Sequence, residues 1–191
     1  MFNLPDIKNR LILNDYIAYT RLKSIKRGDA SVLNKTIVQS DQEYQTLMDL
    51  IQRIWPEVFE PIIGAAQVNY MLAHYQSLEV ITKEIQAGAV YLILEEEGRP
   101  VGYTAYEETD AQLYLSKLYL DHMTRGKGYA SAVFDWYETL AAGKTLHLNV
   151  NKDNQQAIAV YEHRGFVKVG ERVADIGAGF VMDDYIFEKR C

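Results

Sequence analysis

Cysteine is nearly missing from this chain of 191 residues: Cys191 stands alone, and it is the last residue. A single thiol closes no intramolecular disulfide and builds no cysteine-based metal site, and at the last position it is a poor covalent nucleophile. The four histidines, His74, His122, His147 and His163, are scattered without ligand spacing, so no metal centre is expected. No apolar run approaches the roughly 20 residues that cross a bilayer. Near the N-terminus, Leu11, Ile12 and Leu13 are interrupted at once by Asn14 and Asp15, which leaves no apolar core for a signal peptide. A cytosolic protein with no membrane association is therefore expected. Repeats, low-complexity segments and Pro/Gly/Ser-rich linkers are also absent, so the main body reads as one domain.

Positive charge is in short supply, and what there is lies unevenly. The formal net charge is −6, yet residues 1–35 carry seven Lys/Arg against three Asp. That basic stretch reads as an N-terminal extension, and residues 36–191 read as the catalytic body. With the arm at +4 the body is left at −10, a field that attracts small cations and repels nucleic acid. Nucleic acid is not an expected partner. The arm docks either on the body's acidic surface or on a second subunit, and residues 10–23 suit a strand as well as a helix; both questions stay open.

Along the body, Ser40 and Glu43 form a capping box, with Tyr44, Leu47, Met48, Ile51 and Trp55 following at helical spacing. The pattern predicts a first strand over 36–39 and a helix that ends at Pro56. Two short helices are expected at 65–76 and 77–86, the second stopped by Gly88. Three strand-like runs follow at 90–95, 101–106 and 112–120, separated by turn signals, as in an antiparallel meander. A helix at 128–141, a strand at 145–150, a helix at 154–164 and strands near 166–172 and 181–189 complete the series. The expected fold class is α/β, a mixed, mostly antiparallel central sheet with helices on both faces.

The most informative stretch runs from Ser116 to Ala130, an apolar strand leading into a glycine turn that opens a helix. Gly126 and Gly128 remove the β-carbons that would hold phosphate oxygens away from backbone N–H groups. First-turn amides and the positive end of the helix dipole then favour an anion, and Arg125 and Lys127 add charge. The spacing Arg125-x-x-Gly128-x-Ala130, with Tyr129 inside it, resembles the coenzyme A pyrophosphate loop of the GCN5-related N-acetyltransferases. About 25 residues on, Leu146 to Phe166, with Asn154, Tyr161 and Gly165, resembles that family's second signature. The resemblance covers residues 36–190 and implies the family's acyl-CoA N-acyltransferase fold, with acetyl-CoA as cofactor.

By that resemblance Leu118, Tyr119 and Leu120 line the pantetheine arm through main-chain atoms on a strand that splays from its neighbour. Asn154 contacts the same arm, and it is also a good helix N-cap. Tyr161 is the expected general acid: with Ala157 and Ile158 it lies on the inward face of its helix, and a phenol near pKa 10 matches an alkyl thiol. A glutamate that some members carry before the loop is replaced here by Ser116. The base is left among Glu107, Glu108, Asp175, Asp183 and a chain of waters.

Three further segments are similar to bacterial spermine/spermidine acetyltransferases: Ile54 to Phe59, Gln67 to Leu72 and Met182 to Lys189. Trp55, Glu57 and Phe59 then form an aromatic and acidic lining for an alkylammonium. The implied reaction is direct transfer of an acetyl group to a small-molecule amine, a polyamine or other small cation, in a ternary complex. A peptide N-terminus or lysine as acceptor, and a noncatalytic acyl-CoA sensor, remain as alternatives. The resemblance also implies a possible homodimer.

Overall fold

In a computed structural model the chain is described over residues 33–191. The expected basic extension falls, apart from Leu33 to Lys35, outside the described residues. Those three residues belong to β1 (Leu33–Ile37), which starts ahead of the expected position.

The capping box forms as its sequence predicts. Ser40 Oγ accepts from the Glu43 amide, and the Glu43 carboxylate accepts from the Ser40 and Gln39 amides, both at 2.7 Å. Helix α1 (Asp41–His74) buries Leu47, Leu50, Ile51, Ile54 and Trp55 along one stripe. It does not end at Pro56. Pro56 and Pro61 both lie within the helical run, and the break comes only at Gly64, where φ is 79°. Proline removes one intrahelical donor and kinks a helix, whereas a left-handed residue ends the run outright. From residue 65 the helix resumes much as the sequence implies. Helix α2 (Leu78–Ala87) is capped by Ser77 and stopped by Gly88 in the left-handed region.

The strands β2 (Val90–Glu96), β3 (Arg99–Glu108) and β4 (Gln112–Leu120) form the expected meander. A short 3-10 turn, His122–Thr124, leads to α3 (Tyr129–Leu140). Strand β5 (Thr145–Asn151), helix α4 (Gln155–His163) and the hairpin β6 (Val167–Gly177) with β7 (Phe180–Arg190) follow. The seven strands order β1-β2-β3-β4-β5-β7-β6, and every pairing is antiparallel except β4 with β5. This is the mixed, mostly antiparallel sheet expected from the sequence.

Two apolar cores lie on the two faces. On one, Leu113, Leu115, Leu146 and Leu148 pack under Val133, Phe134 and Tyr137 of α3 and Ile158 of α4. On the other, Tyr91, Ile93, Tyr103 and Ala105 pack under the α1 stripe and Ile81 of α2. The tip of the β6–β7 hairpin reaches α1: Tyr70 and Tyr75 donate their hydroxyls to the Ile176 carbonyl, and Gln67 donates to that of Val181.

Candidate active site

The sheet opens at its centre. Strands β4 and β5 pair only over Gln112, Leu113 and Tyr114 with Thr145, Leu146 and His147. Beyond that rung they diverge, so residues 115–120 have a partner strand on the β3 side alone. A bulge coincides with the divergence: Ala105 pairs with Lys117 but Tyr106 pairs with Leu115, which leaves Ser116 as the extra residue. Its hydroxyl donates to the Ala105 carbonyl at 3.1 Å. An extra residue reverses which face each later side chain takes. Leu113 and Leu115 lie in the α3-side core, and after the bulge Leu118 and Leu120 return to it, while Tyr119 joins the opposite core. Lys117 is buried toward α2, where it pairs with Glu84 at 3.2 Å and lies over the Tyr91 ring.

The glycine turn follows directly. Gly126 and Gly128 have φ of 78° and 80°, with open space where a β-carbon would stand. Helices α1, α2 and α4 have side-chain N-caps from Ser40, Ser77 and Asn154; α3 begins at Gly128 with none. No side chain therefore closes the α3 N-terminus, as an anion cradle requires. The two cations of the loop are engaged with carboxylates. Arg125 pairs with Glu57 at 2.5 Å, and Lys127 pairs with Glu96 at 2.9 Å. Tyr129 is buried and directs its hydroxyl to Glu96 as well.

Across the opening, Tyr161 projects from α4 into an aromatic nest of Phe134, Phe166 and Phe187, with centroids 5.8–6.1 Å away. Burial pushes its phenol up to about 12, which keeps it protonated at neutral pH. Asn154 caps α4 through the Ala157 amide at 3.2 Å, the structural role its sequence position suggests.

The α1 face of the opening is aromatic. Trp55, Phe59, Tyr103 and Tyr119 contact one another with centroids between 4.6 and 6.1 Å. Trp55 is itself buried, and its indole N–H closes no hydrogen bond. Glu57 departs from the expected lining. Helical spacing puts Trp55 and Phe59 on one face and turns Glu57 to another, where it meets Arg125 and, at 3.0 Å, His122.

The candidate bases also separate. Glu108 is bound to Lys144 at the sheet edge, and Asp175 caps its own turn through the Gly177 amide. Asp183 pairs with Lys152 at 2.6 Å on the α4 side. Glu107 is exposed on the open face. A carboxylate outside that set stands out: Asp184 is only 4 % exposed, and burial pushes its carboxyl up. Strand alternation explains the difference from Asp183, because Asp184 shares the α1 face with Met182 while Tyr185 and Phe187 take the other. That alternation is the signal in the sequence that identifies it. Burial raises the Tyr119 phenol, and the nearby charges and phenols of Tyr161, Tyr114 and Asp184 add to that. Asn149 donates to the Tyr114 hydroxyl at 3.2 Å just past the last β4–β5 rung.

Known proteins share the fold and part of the sequence. The family model described as an acetyltransferase (GNAT) domain matches residues 60–182. Peptidyl-lysine N-acetyltransferase YjaB of Salmonella typhimurium is 28% identical over 110 residues, which is 57% of this chain and 72% of that one. A GCN5-related N-acetyltransferase structure from Rhodopseudomonas palustris aligns with a TM-score of 0.69 at 15% identity, covering 87% of this chain and 100% of that one. The PaiA N-acetyltransferase of Thermoplasma acidophilum, solved in complex with coenzyme A, aligns with a TM-score of 0.64 at 18% identity, covering 83% and 99%.

Proposed function

The chain belongs to the acetyltransferase (GNAT) domain family, and from that premise we propose that it moves the acetyl group of acetyl-CoA onto the primary amine of a small cationic molecule, of the polyamine kind. The observation that carries the reading is the conjunction of a strand edge freed beyond Tyr114 with the uncapped N-terminus of α3 one turn further on. A helix N-terminus without a side-chain cap suits a pyrophosphate, and an unpaired strand edge suits the amides of a pantetheine arm.

The residues fit that cofactor. Gly126, Lys127, Gly128, Tyr129 and Ala130 offer the phosphate cradle, with Arg125 beside it. Leu118, Tyr119 and Leu120 present main-chain groups along the cleft, with Asn154 opposite. Acetyl-CoA supplies an activated thioester, whose leaving group must be protonated. Tyr161 is the acid: protonated at neutral pH, it is held by Phe134, Phe166 and Phe187 so that its hydroxyl is the polar end of an apolar wall. Cys191 lies far from the glycine turn: its amide donates to the Lys144 carbonyl, beside the paired Gln112–Thr145 end of β4 and β5.

The acceptor class rests on the aromatic floor of Phe59 and Tyr119 and on the carboxylates Glu107 and Asp184 on the same face, a combination that favours an alkylammonium. The hairpin tip bound to Tyr70 and Tyr75 narrows the approach, which suits a small molecule. A peptide lysine is the second reading, and the likeness to a peptidyl-lysine acetyltransferase favours it. Release of CoA thiol with polyamines, amino acids, aminoglycosides and lysine peptides tests both. Saturable turnover of one amine class that falls about 10²–10⁴-fold in kcat with Tyr161→Phe supports the reading. Turnover that the variant leaves intact removes Tyr161 from it, and preference for the peptides moves the acceptor to protein.

A further inference from the structure

The bound that sequence sets on the base, Ser116 in place of an acid, leaves the reaction without a carboxylate on β4. The structure supplies one from β7. Asp184 is nine-tenths buried and more, yet no hydrogen bond or ion pair to it forms among the described residues. A buried carboxylate without a partner is costly. Such a residue is normally retained because something else pairs with it.

Its surroundings identify the missing partner. Asp184 pairs across the sheet with Asn151 on β5 and Arg172 on β6, one strand away from the open side of β5. The charged and titratable groups that face it are Arg172, its neighbour Asp183, Lys152 in the turn after β5, and the Tyr114 and Tyr119 hydroxyls of β4. Arg172 is exposed and forms no ion pair with it, and Lys152 is occupied by Asp183 and Glu171. On the β4 side is the Tyr114 hydroxyl, which accepts from Asn149 of β5 at 3.2 Å. Asp184 thus lies on the α1 face of the strand that backs β5, opposite Asn151 and next to the side of the sheet where β4 and β5 part.

We propose that Asp184 receives the acceptor ammonium and takes its proton. This rests on the function proposed above and deepens it by naming the residue that selects a cationic amine and makes it nucleophilic. In the step, one N–H bond of the ammonium breaks and an O–H bond forms on Asp184. The electron pair stays on nitrogen, which becomes the neutral amine, and the proton passes to solvent once product has left. A carboxyl raised by burial is better matched to this task than a solvated one, since the proton-transfer gap to an amine is smaller.

The test measures CoA-thiol release with a diamine series from pH 5 to 9 in wild type, Asp184→Asn and Asp184→Glu, with CoA binding by calorimetry alongside. The expected result is a fall in kcat/KM of about 30-fold or more in D184N, with loss of the acidic limb and CoA affinity unchanged. D184E restores part of the rate with the limb displaced. A D184N enzyme that keeps its limb and its rate overturns the proposal. So does loss of CoA binding in both variants, which assigns Asp184 to structure. Should D184N alone fail to fold, D184E decides: an undisplaced limb overturns the proposal, a displaced one supports it. A wild type that turns over no primary amine refutes the proposed function itself and this inference with it, and that failure is seen without any variant.

Discussion

Gly102 is the place where the cleft is most sensitive to a single atom. It lies on β3 opposite Leu120, and a β-carbon built there falls 2.4 Å from the Tyr119 carbonyl oxygen and 2.8 Å from a Leu120 methyl. Real β-carbons stay beyond about 3.0 Å, so Gly102→Ala forces the end of β4 outward by about 0.6 Å. The obstructing atom is backbone, so no rotamer change relieves it. Overpacking of this kind costs about 1–3 kcal/mol, which in a chain of this size lowers Tm by roughly 3–10 °C. The displaced strand end carries Leu118, Tyr119 and Leu120, the residues proposed to line the cofactor. Misplacement approaching 1 Å costs up to about 10²-fold in rate, so kcat/KM for acetyl-CoA is expected to fall about 10- to 100-fold. Gly170→Ala is the control, since its β-carbon meets only the Ile186 side chain, at 3.5 Å, and should leave both quantities nearly unchanged. Scanning calorimetry and steady-state kinetics on the two variants check the reasoning. G102A with lowered Tm but unaltered kcat/KM would remove the β4 edge from the cofactor site, and unaltered Tm would refute the close approach.

Two further outcomes follow from the ion pairs. Glu57 holds Arg125 at 2.5 Å, and that pair must open before the guanidinium can turn to a phosphate. A partly exposed pair is worth about 0–1 kcal/mol, so Glu57→Gln should tighten CoA binding by up to about fivefold at low salt and less at high salt; weaker binding would place Glu57 in the phosphate site's support. Glu138 joins α3 to Arg164 and, through Lys189, to β7. Burial raises its carboxyl, but hydrogen bonds from Lys189 and Arg164 outweigh that and hold it below the ordinary glutamate range. A depressed carboxyl stabilises above the unfolded value and loses that stabilisation as pH falls through the folded one. Glu138→Gln should therefore cost about 1–3 kcal/mol at pH 7, with the difference from wild type closing below about pH 4; urea melts at the two pH values measure it.

Much of this was legible before any coordinates. The capping box, the Gly88 stop and the glycine turn each depend on chemistry within a few residues, and each forms where its sequence puts it. Pro56 misleads because a proline weakens a helix locally, while the packing of Ile54 and Trp55 on the sheet holds the run together beyond it. Glu57 misleads for a different reason. Proximity in sequence to Trp55 and Phe59 suggests a shared lining, but a helix of 3.6 residues per turn sends it toward the anion loop. The divergence of β4 from β5 was implied only by resemblance, since strand pairing is non-local and no single segment encodes it. Asp184 lies within the segment Met182 to Lys189, where the sequence offers Asp183 as the candidate base. Their roles separate once Tyr185 and Phe187 are recognised as the core-facing set, a period-2 signal that assigns Asp184 to the opposite face.

The bulge at Ser116 ties these elements together. Without an extra residue, strand alternation would continue from Leu113 and Leu115 to Lys117 and Tyr119, sending a charged and a phenolic side chain into the α3-side core. The insertion instead restores Leu118 and Leu120 to that core and turns Tyr119 toward Trp55, Phe59 and Tyr103. The same residue lies at the point where β4 stops pairing with β5, and a bulge bends its strand and disrupts the ladder. One added residue thus frees a strand edge, restores Leu118 and Leu120 to the apolar core behind it and places Tyr119 on the α1 face with Trp55 and Phe59. Tyr161 and Asp184, the acid and base proposed above, come from α4 and β7, elements with no local sequence relation to the bulge.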